Sequence, residues 1–488
     1  MQKSQLQSSQ KKISQPIEFG AYSEHVPGQI PSALKYATGR FMEQRAASLD
    51  ELPDWEALRQ AGSAIRLHTL ENLDFYLEKL EQQVIAAGGQ VHWAKDAADA
   101  CEIVLELARQ HAVKRAVKVK SMATEEIGLN HALQEAGIEV VETDLGEYII
   151  QLMGTGPSHI VAPAVHLKKE QIAEVFSQEF GIEAPTDPVQ LTAIARQALR
   201  EKFLAADLGI SGANFLVAET GTLVIVTNEG NGRMCTTLPD VHVAVAGIDK
   251  VVPDWESLSV LLKLLPRSGA GQKITVYTSF ITGPRRAKDE HGPSEFHLVL
   301  LDNGRSRILQ DPGGRETLKC IRCGSCLNIC PVYRNVGGYA YGWFISGPIG
   351  AIFTPQILGV QQASELPFAS SLCGACDEVC PVKVPITKIL LHLRRRVVEG
   401  DGYELAVVAP PLRAAAALGR QALGTAWLYR LGGRLLPWLQ IPWLRAGWLS
   451  KLPPPLNRWT KVRPLPAFQA RFRKWWKRRQ QVSTGDQP

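Results

Sequence analysis

Apolar and polar residues alternate along the first half of the chain in a pattern that predicts repeated strand–helix units. Short apolar runs at 90–95, 115–120 and 138–144 predict strands, and amphipathic runs at 96–113 and 123–136 predict the helices between them. Strands that alternate with helices of about 10–15 residues usually pair in parallel, because each helix carries the chain back to the start of the next strand. This part of the chain is therefore predicted to be an α/β domain built on a parallel sheet.

A long helical pattern and a second block of strands follow. Residues 168–208 have helical periodicity, and the next predicted strands are short apolar runs bounded by Gly, Asn, Asp or Pro: 215–218, 222–227, 241–248, 274–278 and 297–301. The chain has 488 residues, which is too many for one ordinary domain. We predict four parts: an extended and then helical N-terminal extension (1–60), the α/β domain (61–308), a mostly helical domain (309–400) and a helical C-terminal tail (401–488).

Residues 335–364 carry no charge and resemble a membrane span in a simple hydropathy scan. Six glycines and two prolines interrupt this stretch, however, and cysteine motifs that have to meet in one domain flank it on both sides. A spanning helix would hold those flanks about 30 Å apart. We therefore predict a buried, uncharged connection packed around the cysteine motifs.

Charge is distributed unevenly along the chain. The formal net charge is +6, but residues 401–488 contain fifteen Lys and Arg against three acidic residues, together with seven of the eleven tryptophans.

The first twelve residues are polar, which does not fit a secretory signal, so we expect a reducing, cytoplasmic compartment in which disulfides are rare. Seven of the nine cysteines lie between Cys320 and Cys380, and such a concentration indicates a metal site.

The seven cysteines form two related motifs. The first is Cys320-x2-Cys323-x2-Cys326-x3-Cys330-Pro, which is the bacterial ferredoxin spacing, in which the fourth cysteine binds the other cluster. The second is Cys373-x2-Cys376-x3-Cys380-Pro, which lacks the first cysteine of the pattern; Ser370 occupies that position.

The ferredoxin arrangement assigns the ligands in a crossed manner. Cluster 1 takes Cys320, Cys323, Cys326 and Cys380, and cluster 2 takes Cys330, Cys373 and Cys376. Two 4Fe–4S clusters are predicted, the second being either a 3Fe–4S form or a cluster whose fourth ligand is not cysteine. A pair of zinc sites is disfavoured because no histidine lies between the motifs and each motif ends in Cys-Pro. Cys101 and Cys235 are predicted to be buried core residues.

Two polar segments of the α/β domain are candidates for binding an anion. The turns at 219–222 and 228–233 are rich in Gly and Asn, and they either form a pocket for a small acid with Arg233 facing a carboxylate or are simply tight hairpin turns. The pair Lys120-Ser121 either binds an anion or places Ser121 as a helix N-cap. The histidines have no ligand spacing, and no nucleophile motif or nucleotide loop is present, so no catalytic residue and no flavin or nicotinamide site is predicted.

Long segments of the chain resemble one family. In the α/β part these are KSMATEEIGLN, ETDLGEYIIQL, PSHIVAPAVH and SGANFLVAETGTLVIVTNEGNGR; in the cysteine part they are CIRCGSCLNICPVYRNVGG and SLCGACDEVCPVKVPI. They occur in the order found in the lactate utilization protein B family, whose members are LUD-domain iron–sulfur proteins. That family's second motif also has three cysteines, so Ser370 is no departure.

The resemblance implies a fold and a function. The α/β domain is expected to be a LUD domain, similar in fold to sugar-phosphate isomerases and CoA-transferases, followed by a ferredoxin-type two-cluster domain. The function implied is electron transfer in the oxidation of L-lactate to pyruvate, with two partners: a CCG-domain iron–sulfur protein and a second LUD protein. Two alternatives stay open, namely a subunit that passes electrons from another dehydrogenase to quinone, and a cluster-based enzyme acting on a small acid held by the LUD domain.

The basic, Trp-rich tail has three possible roles. Arginines, leucines and tryptophans recur at near-helical spacing, and the segment RFRKWWKRR follows at 471–479. A basic amphipathic helix with Trp on its apolar side is typical of a peripheral membrane contact, here on the inner face of the cytoplasmic membrane and close to quinone. Prolines 437, 442 and 453–455 favour the other readings, in which the tail packs on the chain itself or on a partner protein. No nucleic-acid partner is predicted.

Overall fold

The structure, a computed structural model, describes residues 16–400, 404–408, 410–453, 457–460 and 463–468, together with residues 476 and 479. The described chain divides into two compact units, with the boundary between Val407 and Val408. The α/β part and the cysteine motifs belong to the first unit, and the tail forms the second.

A six-stranded sheet forms the centre of the α/β part. Its strands are β1 (Gln90–Ala94), β2 (Arg115–Lys118), β3 (Glu139–Glu142), β4 (Leu208–Ser211), β7 (Val241–Gly247) and β10 (Glu295–Leu301). Their order is β1-β10-β7-β4-β2-β3, and every neighbouring pair is parallel. All seven residues of β7 are buried, as expected for a central strand covered on both faces. The predicted parallel sheet is confirmed.

Helices connect and cover these strands. They are α4 (Leu73–Ala86), α5 (Ala97–Gln110), α6 (Met122–Glu126), α7 (Leu129–Glu135), α8 (Leu145–Leu152), α9 (Lys169–Phe180), α10 (Pro188–Leu204) and α11 (Asn231–Thr237). Side-chain caps start several of them: Asp96, Ser121 and Asp144 each accept a hydrogen bond from a backbone N–H of the first turn.

A second sheet has four strands, which pair in the order β8-β5-β6-β9. Its strands are β5 (Phe215–Val217), β6 (Thr222–Thr227), β8 (Val251–Val252) and β9 (Tyr277–Ile281). Strands β5 and β6 form an antiparallel hairpin, so residues 219–221 lie in a hairpin turn, which is one of the two interpretations of the segment 219–222, and Thr222 begins β6. Helix α12 (Trp255–Ala270) follows β8 and buries leucines 258, 261, 264 and 265 at helical spacing.

Several details of the α/β part differ from the sequence prediction, among them the helix predicted at 123–136, which is the two helices α6 and α7. The helical stretch 168–208 is two helices, because Gly181 adopts a left-handed C-cap and Asp187-Pro188 starts a new helix. Strand β4 was not predicted, since its four residues follow the helical pattern directly. The strand predicted at 274–278 begins three residues later, at Tyr277.

The cysteine region is built from short helices around one long buried helix. The elements are α13 (Arg305–Gln310), α14 (Ser325–Ile329), α15 (Tyr333–Val336), α16 (Gly347–Leu358), α17 (Ala375–Val379) and α18 (Ile386–Glu399). Every residue of α16 from Gly347 to Ile357 is buried, so the uncharged stretch is the buried connection that the sequence predicts. Four cysteines of the motifs share one hydrophobic core with α16. No helix in the described part of the chain is long and apolar enough to cross a membrane.

Three N-terminal helices precede the α/β part: α1 (Phe19–Ser23), α2 (Gln29–Asp50) and α3 (Trp55–Glu71). Helix α2 contacts α12, α14 and α15, and α3 contacts α12 and the 3-10 turn that leads to Cys320. Helices α2 and α3 therefore pack against both the α/β part and the region of the first cysteine motif.

The second unit consists of α19 (Pro410–Gly424), α20 (Ala426–Leu439), the short helix α21 (Asn457–Thr460) and three two-residue strands, β11 (Leu444–Arg445), β12 (Trp448–Leu449) and β13 (Leu465–Pro466). Pro442 lies in a 3-10 turn, Ile441–Trp443, that follows α20, as expected for a proline that interrupts a helix. Pro437, which was also expected to break a helix, lies inside α20. Most of the predicted basic run at 471–479 lies outside the described residues.

Candidate iron–sulfur centre

The two cysteine motifs have the same local structure, fifty residues apart. In the first, Arg322 and Gly324 have positive φ, and a short helix then begins; in the second, Leu372 and Gly374 do the same. The left-handed residues turn the chain tightly enough to bring the thiols of each motif to the same side of the loop. The two short helices that follow, α14 and α17, pack against each other. This packing brings the fourth cysteine of each motif towards the other motif.

Four cysteines line one small internal cavity: Cys320, Cys323, Cys326 and Cys380. Apolar side chains, among them Ile349, Val382 and Ile386, form the rest of its wall. Burial raises the pKa of Cys323, and the nearby sulfurs of Cys380 and Cys320 raise it further. The donor set around this cavity is four thiols, which is the set that a 4Fe–4S cluster needs.

The other three cysteines form a second group. Burial raises the pKa of Cys376 to about 12, with Asp377, Cys330 and Cys373 adding to the effect. Cys373 is exposed, whereas the other two are buried, so this group lies nearer the protein surface than the first. Burial likewise raises the pKa of Cys326, and Cys376 of the second group is among the sulfurs that raise it further, which indicates that the two groups are close neighbours.

Ser370 occupies the place that Cys320 has in the first motif. The backbone N–H of Leu372 donates to Ser370 Oγ over 3.1 Å, as the N–H of Arg322 donates to Cys320 Sγ over 3.4 Å. The hydroxyl oxygen of Ser370 and the sulfur of Cys320 therefore have equivalent local positions. Further N–H groups point at sulfur: Val384 donates to Cys380 and Tyr333 to Cys330. Such hydrogen bonds favour the thiolate form.

Arginines from the N-terminal helices hold the cysteine motifs in place. Arg59 donates to the carbonyl oxygens of Glu378 and Cys380, and Arg45 donates to that of Val379. Arg66, which is fully buried, joins the carbonyl oxygens of Asp249 and Val251 to those of Leu318 and Lys319 just before the first motif. Sequence analysis missed these residues, because no spacing rule connects an N-terminal helix with cysteines some three hundred residues away.

The α/β part also contacts the first cysteine motif directly. Gly269 of α12 lies so close to Cys323 that a Cβ atom at this position would be 2.8 Å from the Cys323 carbonyl oxygen. Asn328 of α14 donates to the Gly269 carbonyl oxygen, and its own side-chain oxygen lies 3.1 Å from His159 Nε2. His159 Nδ1 accepts two backbone N–H bonds, so Nε2 carries the proton and the ring is neutral. Burial accordingly lowers the pKa of His159 to about 4.

Of the residues considered for an anion site in the α/β part, some line a cavity and Arg233 does not. Ser121 is the N-cap of α6, and Lys120 and Ser121 line a cavity that also includes Cys323. Asn228 and Asn231 line the same cavity, but Arg233 is exposed on α11 and does not. The segment 228–233 is therefore the start of a helix beside a cavity and not a hairpin turn.

Among the residues that the structure describes, one group of side chains of the kinds that bind metal ions comes together without any ligand spacing in the sequence. His111 Nε2, Glu295 Oε2 and His297 Nε2 lie within 4.8 Å of one another at the start of β10. Each histidine already pairs with Glu295, at 3.4 and 3.2 Å, so hydrogen bonding accounts for this arrangement. Cys235 is buried, as predicted, and Cys101 is partly buried.

The fold and the cysteine region define a class of protein, namely a LUD-domain protein that also carries a 4Fe–4S dicluster domain. The LUD domain model matches residues 77–301, and the 4Fe-4S dicluster domain model matches residues 316–384. Lactate utilization protein B 2 of Bacillus mycoides is 44% identical over 97% of this chain and 98% of its own length. Lactate utilization protein B of Bacillus thuringiensis has the same identity and coverage. The chain belongs to the lactate utilization protein B family.

Among solved structures, a DUF162 family protein from Deinococcus radiodurans is similar to part of the chain. It is 13% identical, covers 47% of this chain and 98% of its own, and has a TM-score of 0.27. This likeness is too weak to support an argument about the fold. The predicted similarity to sugar-phosphate isomerases and CoA-transferases stays a prediction.

Proposed function

We propose that this protein is an iron–sulfur electron-transfer component of an L-lactate oxidation system. The observation that carries the proposal is the convergence of Cys380 with Cys320, Cys323 and Cys326 around one cavity, beside a second group of three cysteines. Membership of the lactate utilization protein B family supports lactate as the source of the electrons. A CCG-domain iron–sulfur protein and a second LUD protein are the proposed partners.

The proposed ligands follow the two groups of cysteines. Cluster 1 is held by Cys320, Cys323, Cys326 and Cys380, and cluster 2 by Cys330, Cys373 and Cys376. A bound iron–sulfur cluster takes up and releases one electron at a time. The apolar side chains around Cys320 and Cys380 exclude water from the first site, and the N–H groups that point at sulfur stabilise the negative charge there.

The two groups suggest a direction for electron flow. The cavity of the LUD domain borders Cys323 of the first group, whereas Cys373 of the second group is exposed at the surface. Electrons would therefore enter near Cys323 and leave near Cys373, where a partner or quinone can approach.

The proposal is tested by reconstituting the chain anaerobically with its two partners and adding L-lactate. We expect the visible absorbance of the clusters to bleach and a reduced iron–sulfur EPR signal to appear. The matched control omits lactate, and glycerol 3-phosphate replaces lactate to test the alternative of another quinone-linked dehydrogenase. Bleaching by glycerol 3-phosphate with no response to lactate would reject the lactate proposal.

Cluster 2 is expected to be the more easily oxidised of the two. Only three cysteines reach it, so its fourth iron depends on Ser370, water or a partner ligand, and mild oxidant should yield a 3Fe–4S EPR signal before cluster 1 changes. In the Ser370→Cys variant a fourth thiolate stands where Cys320 stands in the first motif, and the oxidation should slow several-fold. Equal resistance of both clusters in the unmodified protein would mean that cluster 2 has a fourth ligand of comparable strength.

We also propose that the tail contacts an anionic membrane surface. On α20 no residue is buried, and Trp427 and Trp438 are 63% and 74% exposed beside the exposed cations Arg430 and Arg434. Residues 405–485 contain no acidic residue, which makes an anionic partner the complementary one. Tryptophan favours the headgroup level, and each basic residue near an anionic surface contributes about 1 kcal/mol.

Liposome flotation tests the membrane proposal. The full chain should float with anionic vesicles at low salt, release at high salt, and ignore neutral vesicles, because the attraction is largely electrostatic. A chain ending at Gly400, and a full-length variant with both Trp427→Glu and Trp438→Glu, should stay unbound. Equal binding by the full chain and the shortened chain, or binding by neither, would exclude the tail as a membrane anchor and leave packing on the chain or on a protein partner.

A further inference from the structure

A well-formed cavity lies beside Cys323. It has a volume of about 600 Å³, which is in the range of pockets that hold small organic ligands. Its walls come from the segments that follow the carboxyl ends of β2, β4 and β7, and from Ile321–Cys323 of the first cysteine motif. In open α/β sheets, ligands commonly bind outside the carboxyl ends of the strands.

Three side-chain atoms of residues in this wall lack a hydrogen-bond partner. One is Nη1 of Arg322, which directly precedes Cys323 in the chain. The other two are the ammonium nitrogen Nζ of Lys120, which is a donor, and the side-chain oxygen Oδ1 of Asn231, which is an acceptor. Asn231 is 95% buried, and its amide nitrogen donates to Thr143 Oγ1, which leaves Oδ1 as the unpaired end. Leaving such groups unpaired away from water costs about 1–3 kcal/mol each, so a ligand that pairs with Lys120 Nζ and Asn231 Oδ1 would gain from it.

The charges around the cavity favour an anion. The carboxylate nearest to Lys120 Nζ is that of Glu147, 3.7 Å away, and burial raises the pKa of Glu147 to about 8, which weakens its claim on the ammonium group. The acidic side chains in the wall are otherwise occupied: Glu126 pairs with Arg305, and Asp144 caps α8. Glu229 accepts a hydrogen bond from the Leu145 N–H, and burial raises its pKa to about 7.

We propose that this cavity binds a small hydroxy-acid anion, with Lys120 Nζ donating to its carboxylate and Asn231 Oδ1 accepting from its hydroxyl group. A hydroxy acid supplies the anionic acceptor and the neutral donor that these two atoms require, whereas a simple carboxylate supplies only the first. Apolar wall residues, among them Ile149, Ile160 and Phe344, would cover the alkyl part of the ligand. The inference deepens the proposed function by placing the acid in this chain, and it rests on that function for the choice of lactate as first probe.

Binding is measured on the full, cluster-loaded chain without its partners, by calorimetry under anaerobic conditions, with L-lactate, 2-hydroxyhexanoate and propanoate as probes. The hydroxy acids should bind saturably and more tightly than propanoate. Lys120→Met should weaken the binding of all three about ten- to a hundredfold, which is what loss of a charge-assisted hydrogen bond implies. Asn231→Leu should weaken the hydroxy acids and leave propanoate nearly unchanged, so that the preference for a hydroxyl group disappears.

Arg233→Ala is the matched control, because Arg233 lies on the same helix as Asn231 but is exposed and outside the cavity wall. It should bind all probes as the unmodified chain does. Iron content and the EPR signal of each variant establish that its clusters are intact. Absence of saturable binding by the loaded chain, or equal affinity of the Lys120→Met variant, would overturn the inference. Either of these results leaves the proposed function intact if lactate still reduces the clusters in the presence of the partners.

Discussion

Replacing Cys323 by serine is expected to remove one of the two clusters and to lower the iron and sulfide content by roughly half. Cys323 is buried in the wall of the small cavity that it shares with Cys320, Cys326 and Cys380, and a serine hydroxyl is a much weaker ligand for iron than a thiolate. Because cluster binding also stabilises the fold, the variant should unfold at a lower denaturant concentration than the unmodified protein. Iron and sulfide analysis, together with EPR of the reduced protein, measures the effect.

The control for this prediction is Cys101→Ser. Cys101 donates to the carbonyl oxygen of Ile127 in the α/β part, far along the chain from both motifs, so its replacement should leave the iron content unchanged. The EPR signal that remains in Cys323→Ser should be that of cluster 2 and should keep its sensitivity to oxidant. Unchanged iron and sulfide in Cys323→Ser would refute the assignment of this residue as a ligand.

Replacing Arg305 by methionine is expected to lower the free energy of unfolding by about 3–5 kcal/mol. Arg305 is 3% exposed; it forms two hydrogen bonds with Glu126, at 2.8 and 2.7 Å, and one with Asp249, at 2.6 Å. The pKa of Asp249 lies well below its usual range, because the charge of Arg305, followed by other nearby cations, outweighs the effect of burial. Without Arg305, two buried carboxylates lose their main partner. Chemical denaturation of the cluster-loaded protein measures the loss.

The comparison variant is Arg109→Met. Arg109 also pairs with two carboxylates, Glu102 and Glu106, but its side chain is 56% exposed, and water solvates the charges when the pair is broken. Its replacement should therefore hardly move the denaturation midpoint. The double variant Glu126→Gln with Arg305→Met should lose less stability than the two single changes together, since they share one network. A midpoint for Arg305→Met equal to that of Arg109→Met would contradict the prediction.

Arg305 also links the stability of the fold to the cavity. It lines the cavity wall, and Asp249 and Glu126 hold its guanidinium there. Arg66 donates to the backbone carbonyl oxygen of Asp249 and to those of Leu318 and Lys319, which directly precede Cys320. One network of buried charges and carbonyl groups therefore positions both the cavity wall and the start of the first cysteine motif.

Local sequence pattern was sufficient for the features that depend on near neighbours in the chain. The alternation of strands and helices predicted the parallel sheet, because each strand–helix–strand unit is only about thirty residues long. Gly, Pro and the absence of charge in 335–364 predicted a buried connection, and α16 has that character. The spacing of the cysteines predicted two motifs of the same pattern, and both have left-handed residues at the same two positions of the turn.

Only the tertiary structure decided which distant residues meet. The sequence could not show that Lys120, Asn231 and Cys323 line one cavity, that Arg233 is outside it, or that Arg59 and Arg66 bind the backbone beside the cysteine motifs. Positions such as these depend on how whole helices and strands pack, and packing is set by many weak apolar contacts spread along the chain. The sequence alone determined the ligand chemistry of the cysteine motifs, since that chemistry resides in residue type and short spacing. The surroundings of those motifs, and the cavity beside them, exist only once the elements have packed.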